Sequence, residues 1–429
     1  MAKNTLSLNH IARVEGHGNA YVSIKDGKLE RVEMRVDEPA RFFEAMVKGR
    51  SFEDVPYIAS RICGICSPSH VITDLLAIEQ VFGVEVTDRT RALRDLLIYG
   101  SYLQNHASHL FVFAAPDYIG EDSIFPLAHA NKELFDKALS LKSLGNELCN
   151  KIGGRSIHPI TAVVGGFTSE ISSAQYLELA QKLESAIPFT LEVADLFTSF
   201  SVPDIKTAGE MLAMVDDGRY PVSDSRHLAF VKSGQRFECS DISSNVEEYV
   251  VDHSAALFAR ATSTKETYFT GALARINASW YSLSQEAKIA SAKAGLRPPE
   301  YNPFMNNVAQ AIELIDACVR CANLCRRLAN DEFEGSSTPV AFDVKAGKAV
   351  GFTEAPRGCV FHELEIDENG KIAHASIMTP TSQNVANLEN DMRVLAQTLL
   401  DAGAEEAQIK FEIEKLIRAY DPCFSCSVH

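Results

Sequence analysis

The fold of this chain is decided by two stretches, Arg61-Ile62-Cys63-Gly64-Ile65-Cys66-Ser67-Pro68-Ser69-His70 and Asp421-Pro422-Cys423-Phe424-Ser425-Cys426-Ser427-Val428-His429. Each contains a Cys-x-x-Cys pair, and the second stretch ends on a histidine, which is a further potential metal ligand. Chain ends are usually loose and polar, whereas this end concentrates groups that bind metal. We therefore predict a metal centre that joins the N-terminal and C-terminal segments of the chain.

Length and composition indicate a large protein with an ample core. A length of 429 residues corresponds to about two to three domains, and 46% of the residues are hydrophobic. The net charge of −16 disfavours binding to nucleic acid or to an anionic membrane, because both require clustered Lys and Arg. No apolar run approaches the ~18 residues of a transmembrane helix, and Met1-Ala2-Lys3-Asn4-Thr5 does not lead into an apolar signal core. We expect a cytoplasmic protein.

Helical periodicity dominates the middle of the chain, and small antiparallel β regions are predicted near both ends. Alternating residues over 5–36, with an Asp26-Gly27 turn, predict one hairpin, and residues 358–378, with an Asn369-Gly370 turn, predict another. The fold class is therefore mainly α with small β regions (α+β), built on a central bundle of long helices. Helices are predicted over 87–113, 131–150, 172–200, 304–330 and 405–419.

Four segments follow from this pattern. Residues 1–86 form the N-terminal β region with the first Cys-x-x-Cys motif, and residues 87–200 form long helices of the bundle. Residues 201–300 are less regular and are predicted to be an α+β lobe. Residues 301–429 contain a further bundle helix, the C-terminal hairpin and the second Cys-x-x-Cys motif.

The cysteines divide into predicted ligands and predicted core residues. In a reducing compartment, paired cysteines more often bind metal or do redox chemistry than form disulfides. Two Cys-x-x-Cys pairs supply four thiolates, which on ligand chemistry alone indicate tetrahedral zinc or an iron–sulfur cluster. The spacing does not distinguish these from nickel, so a non-enzymatic scaffold with a structural zinc site is one hypothesis. The other cysteines are predicted to lie in the core or in pockets: Cys149, Cys239, Cys318, Cys321, Cys325 and Cys359.

The residues around the two pairs closely resemble the two signature motifs of the [NiFe]-hydrogenase large subunit. The resemblance covers the whole chain in order, and the remaining motifs are Arg13-Val14-Glu15-Gly16-His17, Glu44 before Lys48-Gly49-Arg50, Gly153-Gly154-Arg155, His158-Pro159, Glu354-Ala355-Pro356-Arg357-Gly358 and Pro380-Thr381. The resemblance implies an oxidoreductase that cleaves H2 heterolytically and reversibly into protons and electrons at a nickel–iron centre. The compact length and the motif variants look most similar to the cytosolic bidirectional, cofactor-coupled group.

The resemblance also implies the ligands of the metal centre. Cys63, Cys66, Cys423 and Cys426 would hold nickel, and Cys66 and Cys426 would also bridge to an iron that carries carbon monoxide and cyanide. Soft thiolates suit nickel, and an open coordination position is typical of a catalytic site.

Four residues are implied to surround the ligands of the iron. Arg357 would direct its permanent charge at a cyanide and at the open position, while Pro356 and Thr381 would line the same diatomic ligands. His70 would donate a hydrogen bond to a bridging thiolate.

Proton transfer is implied to begin at a terminal thiolate. Cys423 would accept the first proton with the help of Arg357, and Glu15 would receive it next. From the residues alone, Glu15 could instead cap the backbone or pair with Arg13, and the resemblance favours the proton relay.

A separate hard cation is implied by three groups. Glu44, the backbone carbonyl of Ile377 and His429 match the family's ligands for magnesium, or for iron at the same position. Precursors in this family lose a C-terminal extension after nickel insertion, so a chain ending at His429 is expected to be the mature form.

One position departs from the family pattern. Many members carry an acidic residue at the position of Asn105, above the metal centre. Asn105 keeps a hydrogen bond toward Arg357 but lacks the charge, which leaves Asp421 as the carboxylate partner of the arginine. His106, His109 and His158 are compatible with core, pocket or partner-interface roles.

Electrons must leave through a partner, because no nucleotide-binding motif and no further cluster motif is present. By resemblance the partner is an iron–sulfur small subunit, followed by an NAD(P)/flavin, deazaflavin or heterodisulfide module. A complex-I-related, membrane-associated hydrogenase is the alternative enzyme class.

Overall fold

The computed structural model describes residues 3–26 and 28–429, and helices form its centre. None of the helices in these ranges is both long and apolar enough to cross a membrane. The helices are α1 (Phe43–Val47), α2 (Val55–Ala59), α3 (Ser67–Phe82), α4 (Asp88–Ser108), α5 (Ala115–Ile119), α6 (Phe125–Ala130), α7 (Lys132–Gly153), α8 (Ser173–Ser199), α9 (Ile242–Asn245), α10 (Ala272–Ser279), α11 (Gln285–Lys293), α12 (Asn306–Ala329), α13 (Pro380–Asp401) and α14 (Glu406–Ala419).

The predicted long helices are α4, α7, α8, α12 and α14, and capping residues start three of them. The Thr87 hydroxyl accepts a hydrogen bond from the Thr90 amide at 3.1 Å, which starts α4. Asn131 caps α7 in the same way, and Ser172 forms a capping box at the start of α8. A π-helical turn, His109–Ala114, extends α4 as far as the sequence predicts. Apolar faces of α4, α7, α8 and α12 pack together as a bundle.

Small sheets lie near both ends of the chain, which confirms the mainly α fold class with antiparallel β regions. The predicted Asp26-Gly27 turn includes Gly27, which lies outside the described residues. One three-stranded sheet has the order β1-β2-β3 and the other β12-β13-β14, and both are antiparallel. The strands are β1 (Lys3–Leu8), β2 (Gly18–Lys25), β3 (Lys28–Val36), β4 (Ala162–Val163), β5 (Gly166–Phe167), β6 (Glu210–Val215), β7 (His227–Phe230), β8 (Gln235–Glu238), β9 (Val246–Tyr249), β10 (Phe258–Ala261), β11 (Tyr268–Phe269), β12 (Gly347–Ala355), β13 (Gly358–Ile366) and β14 (Ile372–Met378).

Residues 201–300 contain β6–β11 and α9–α11, and their apolar residues join those of the C-terminal sheet. Leu212 and Leu228 share one buried cluster with Val350, Phe352 and Phe361 of β12 and β13. This shared core ties the less regular segment to the C-terminal hairpin. The division of the chain into four segments stays a prediction.

The sequence patterns missed α3, α13 and β12, and α3 packs against β12 at a very short distance. A Cβ atom on Gly351 of β12 would lie 1.8 Å from the carbonyl oxygen of Thr73 in α3. Only a glycine permits this approach of the two backbones. Because α3 begins after Cys66 and β12 ends just before Pro356-Arg357, this contact fixes two parts of the candidate site relative to each other.

Candidate metal centre

The cysteines from the two ends of the chain meet in one buried cluster. Cys63 follows a short 3₁₀ turn, and Cys66 is the residue immediately before α3. The sulfurs of Cys63, Cys423 and Cys426 lie within 4.8 Å of one another, and the amide of Cys66 donates to the Cys63 sulfur at 3.2 Å. Cys423 and Cys426 form a disulfide in the structure, so both must be reduced to thiolates before they can bind metal.

The environment of this cluster favours one thiolate even without metal. A hydrogen bond from the Cys66 side chain and the positive charge of Arg357 lower the pKa of Cys63 to about 7, although burial acts in the opposite direction. Burial, together with the neighbouring Cys63 thiolate, raises the pKa of Cys66 well above its ordinary value. Cys63 is therefore the more easily ionised of the two, and a bound cation would favour the thiolate form of both.

Arg357 is a buried cation near this cluster, and two of its donor nitrogens are free. It lies in the two-residue turn between β12 and β13, and its Nε donates to Asp421 at 3.0 Å. Its Nη1 and Nη2 are buried and have no protein partner. Buried donors without acceptors are costly, so these two groups indicate room for an acceptor that the protein chain does not supply. Cyanide ligands on iron have the required acceptor chemistry.

Asp421 holds the arginine without help from a second carboxylate. Asn105 donates to Asp421 at 2.6 Å, and Gln310 donates to the same oxygen at 2.9 Å. The Arg357 charge keeps the pKa of Asp421 below its ordinary value, although burial opposes this effect. Asn105 lies beside the Arg357–Asp421 pair, but the predicted hydrogen bond between Asn105 and Arg357 is wrong. The Asn105 amide group donates to Asp421 instead, and the Asn105 Oδ1 and the terminal nitrogens of Arg357 have no partner among the described residues.

Two residues predicted to line the diatomic ligands lie beside the cysteines in the fold. Thr381 is the second residue of α13, and its hydroxyl accepts from the Cys423 amide at 2.9 Å. Pro356 shares the turn with Arg357 and is buried.

Glu15 contacts the last cysteine pair. Its Oε2 lies 3.0 Å from the Cys423 sulfur and accepts from the Ser425 amide at 3.3 Å. The Ser425 hydroxyl is a further partner of the same carboxylate. Glu15 is half-buried, so the carboxylate stands between the enclosed sulfur and the outside of the chain.

The predicted cation ligands also converge. The Ile377 amide donates to Glu44 at 2.7 Å, and the Ile377 carbonyl contacts the Nε2 of His429. Burial lowers the pKa of His429, which favours the neutral imidazole that binds metal. A carboxylate, a carbonyl and an imidazole are compatible ligands for a divalent cation.

His70 belongs to a longer chain of buried groups. Its Nδ1 lies 3.0 Å from the Nε2 of His362, whose Nδ1 lies 2.7 Å from Asp74. The Nε2 of His70 is buried without a partner, as expected for a group that faces a bound cofactor. His362 and Asp74 were not identified from the sequence, because only the fold places them beside a residue so distant in the chain.

Other cysteines and histidines lie away from this cluster. Cys318, Cys321 and Cys325 are fully buried along one stripe of α12, as the helical spacing predicts. His158 donates to the Ser60 carbonyl at 2.9 Å and lies partly at the surface. The metal-binding, catalytic and second-sphere roles of individual residues stay predictions.

Comparison with known proteins agrees with the geometry. The family model for nickel-dependent hydrogenase matches residues 41–143 and 305–429. The alpha subunit of sulfhydrogenase 2 from Pyrococcus furiosus is 32% identical over 425 residues, which cover 99% of this chain and 98% of that protein. Subunit beta of the NAD-reducing hydrogenase HoxS from Cupriavidus necator is 27% identical over 470 residues, which cover 99% and 94%.

A solved structure shares the whole fold. The crystal structure of an NAD+-reducing [NiFe]-hydrogenase in the H2-reduced state matches with a TM-score of 0.84 and 25% identity over 100% of both chains. This chain belongs to the nickel-dependent hydrogenase family. It is the catalytic large subunit of a [NiFe]-hydrogenase, as the sequence motifs predict, and a non-enzymatic scaffold is excluded.

Proposed function

We propose that this hydrogenase subunit binds nickel through four thiolates and iron through two of them, and that carbon monoxide and cyanide complete the iron. The observation that carries the proposal is that both cysteine pairs lie in one buried cluster, with three of the sulfurs within 4.8 Å of one another, near an arginine whose two terminal nitrogens have no partner. The proposed nickel ligands are Cys63, Cys66, Cys423 and Cys426, of which Cys66 and Cys426 also bind iron.

The residues around the centre supply charge and exclude water. The nickel–iron group, when bound, supplies the redox and Lewis-acid chemistry that splits H2 heterolytically. Arg357 provides a fixed cation with two unused donors, held by Asp421. Because the site is buried, this charge acts at a low effective dielectric constant and with little reorganisation. Pro356 and Thr381 would line the bound group, and the free Nε2 of His70 would donate a hydrogen bond to one of the thiolates that hold it.

Protons leave through Glu15 in this proposal. The Cys423 sulfur, which would hold the proton, lies 3.0 Å from the Glu15 Oε2, which is within transfer distance. The Ser425 amide and hydroxyl orient that carboxylate. Since Glu15 is half-buried, it is the first group on this route that approaches the outside of the subunit.

A second metal, Mg²⁺ or Fe²⁺, is proposed at Glu44, the Ile377 carbonyl and His429. These groups are already in mutual contact in the fold. The cation would neutralise Glu44 and anchor His429, whose Nδ1 lies 3.1 Å from the carbonyl of Cys426. It would therefore stabilise the segment that carries the last two nickel ligands.

Electrons are proposed to pass to an iron–sulfur small subunit that docks beside Cys63. Large apolar side chains are exposed on the segments that flank this cysteine: Phe42, Tyr57 and Ile157. Arg41, next to Phe42, donates to the carbonyl of Ile62 at 2.6 Å, so this exposed surface is continuous with the metal site. Exposed apolar groups of this size are typical of an interaction surface.

The broader assembly follows the relatives. The NAD-reducing relative and the matched structure favour a cofactor-coupled hydrogenase in the cytoplasm. The final electron acceptor is proposed to be reached through an NAD(P)/flavin, deazaflavin or heterodisulfide module.

Metal analysis and infrared spectroscopy test this proposal on the purified complex. We expect about one nickel with one additional iron beyond the iron–sulfur clusters, or two additional irons where Fe²⁺ occupies the Glu44 and His429 site, and infrared bands of iron-bound carbon monoxide and cyanide. Zinc at the four cysteines, or the absence of these bands in active enzyme, would contradict it.

A further inference from the structure

Two buried arginines are associated with the turn between β12 and β13, and they differ in how many of their donors have an acceptor. Arg357 uses its Nε for Asp421 and leaves both terminal nitrogens free. Arg275, from α10, is equally buried, with 1% of its surface exposed. A guanidinium has five N–H donors, and Arg275 makes five hydrogen bonds.

Three of these bonds go to carboxylates and make Arg275 immobile. Its Nε and Nη2 donate to the two oxygens of Glu313 at 2.6 and 2.8 Å, which is the bidentate arrangement. Its Nη1 donates to Glu354 at 3.1 Å. Tyr102 packs its ring 4.8 Å from the guanidinium. These contacts hold the guanidinium between Glu313 of α12 and Glu354 of β12.

The other two bonds reach the turn that carries Arg357. Arg275 donates to the carbonyls of Ala355 and Pro356, both at 2.9 Å. The Tyr102 hydroxyl donates to the carbonyl of Glu354, one residue earlier, at 3.1 Å. The three successive carbonyls of Glu354, Ala355 and Pro356 thus each accept a hydrogen bond from Arg275 or Tyr102. Because Ala355 pairs with Gly358, the turn has only two residues, and fixing its carbonyls fixes where the Arg357 side chain leaves the backbone.

We propose that Arg275 is a positioning residue for hydrogen cleavage, which holds the Pro356-Arg357 turn so that the free nitrogens of Arg357 face the metal centre. The inference rests on the proposed function, because it concerns the arginine assigned to the iron ligands. Arg275 itself touches no reacting group. It acts through the backbone of the turn, so the segment 201–300 contributes to the chemistry indirectly, by holding Arg357.

Arg275→Lys tests this role in the purified complex. Lysine keeps the charge but has three donors on a flexible chain, so it cannot hold Glu313 and both carbonyls together. We expect normal nickel and iron content, displaced infrared bands of cyanide, and a kcat lowered by about 10- to 100-fold with KM for H2 unchanged. Wild-type band positions and kcat in folded, metal-loaded Arg275→Lys would overturn the proposal.

Arg94→Lys is the matched control. Arg94 has the same exposure and a bidentate carboxylate, Glu79, with bonds of 2.7 and 2.5 Å, but it makes no contact with the turn. We expect some loss of stability and unchanged infrared bands and kcat. Equal band displacement in both variants would show a general packing effect and would refute a specific role for Arg275.

A milder variant and a structure complete the test. If Arg275→Lys does not fold, Tyr102→Phe is the second variant, because it removes only the hydrogen bond to the Glu354 carbonyl. We expect a smaller displacement of the same infrared bands in Tyr102→Phe. No change in the bands would overturn the proposal.

Crystal structures of the wild type and the variant measure the Arg357–Asp421 contact, which is 3.0 Å here, and this measurement does not depend on the iron ligands. If the wild type shows no cyanide bands, the proposed function fails, whereas a lost Arg357–Asp421 contact in Arg275→Lys would still support positioning.

Discussion

Two Cys-x-x-Cys sequences in this chain have the same spacing and different chemistry. Cys318 and Cys321 lie inside helix α12, surrounded by apolar side chains, and burial raises the pKa of Cys318 to about 12. Cys63 and Cys66 are just as buried, yet the pKa of Cys63 is lowered to about 7 by the Cys66 hydrogen bond and by Arg357. Burial alone keeps a thiol protonated, whereas burial beside a donor and a fixed cation produces a thiolate.

The position in the secondary structure explains this difference. The helix α12 backbone is internally hydrogen-bonded, so it has no free donor to offer its cysteines. Cys66 instead lies immediately before α3, outside the helix, where its own backbone amide can donate to the Cys63 sulfur at 3.2 Å. A metal-binding pair is therefore distinguished from a core pair by what surrounds it and not by its spacing.

The largest expected effect comes from replacing a predicted ligand in each pair. Cys63→Ser should lose nickel and lower H2 oxidation by more than about 100-fold, because a serine hydroxyl is a poor ligand for nickel. Cys318→Ser should keep its nickel. Metal analysis and H2 oxidation assays on both variants measure the contrast, and wild-type nickel in Cys63→Ser would remove Cys63 from the ligand set.

The next effect concerns the proposed proton route, which starts at a predicted metal ligand, Cys423, and has no counterpart at the cysteines of α12. Glu15→Gln should retain nickel and iron but slow the exchange of H2 with solvent deuterons by about 100-fold, since an amide cannot accept the proton. Glu38→Gln is the control, because Glu38 bonds to the exposed His17 and contacts no cysteine. Unchanged isotope exchange in Glu15→Gln would exclude Glu15 from the path.

A smaller and more direct test is the titration of the metal-free protein with the Cys423–Cys426 disulfide intact. The pKa of Cys63 is about 7, below the ordinary value of 9.0, so Cys63 should be protonated at pH 6 and a thiolate at pH 8. The difference in ultraviolet thiolate absorbance between wild type and Cys63→Ala follows this step. Arg357→Met should move the step to higher pH, because it removes a charge that favours the thiolate. A step near pH 9 in the wild type would refute the comparison.

The smallest effect is expected in the core stripe. Cys321→Ala removes one buried sulfur from α12 and should lower the free energy of unfolding by about 1 kcal/mol, with nickel content and activity unchanged. Chemical denaturation of the apo-protein measures this change. Loss of nickel in Cys321→Ala would show that the two cysteine groups are not independent.

Much of the fold and of the site could be predicted, because the motifs and the long amphipathic helices are local signals. The helices with apolar stripes were identified, but α13 was missed. It buries polar residues, among them Gln383, Asn384 and Asn387, which bind neighbouring backbone and side-chain groups and weaken the apolar period. Strand β12 was missed for a related reason, since Thr353 and Glu354 are fully buried and the alternation of polar and apolar residues fails.

The supporting residues of the site were less accessible to sequence analysis. Arg275, His362 and Asp74 carry no motif, and each acts through contacts with residues far away in the chain. From the sequence alone, Arg275 could equally have been a surface residue, because it lies in a segment without clear periodicity. Only the fold shows that it is buried. Residues proposed to contact the metals can therefore be predicted from sequence motifs. Residues that orient those side chains can be identified only from the three-dimensional structure.

Gly351 sets the distance between two elements that carry parts of the metal site. The helix that starts at the first cysteine pair and the strand that leads to Arg357 press together where a single hydrogen atom replaces a side chain. One additional methyl group there would act as a wedge, separating the arginine from the sulfurs. The tuning of the hydrogen-splitting chemistry thus depends on a residue with no functional group at all.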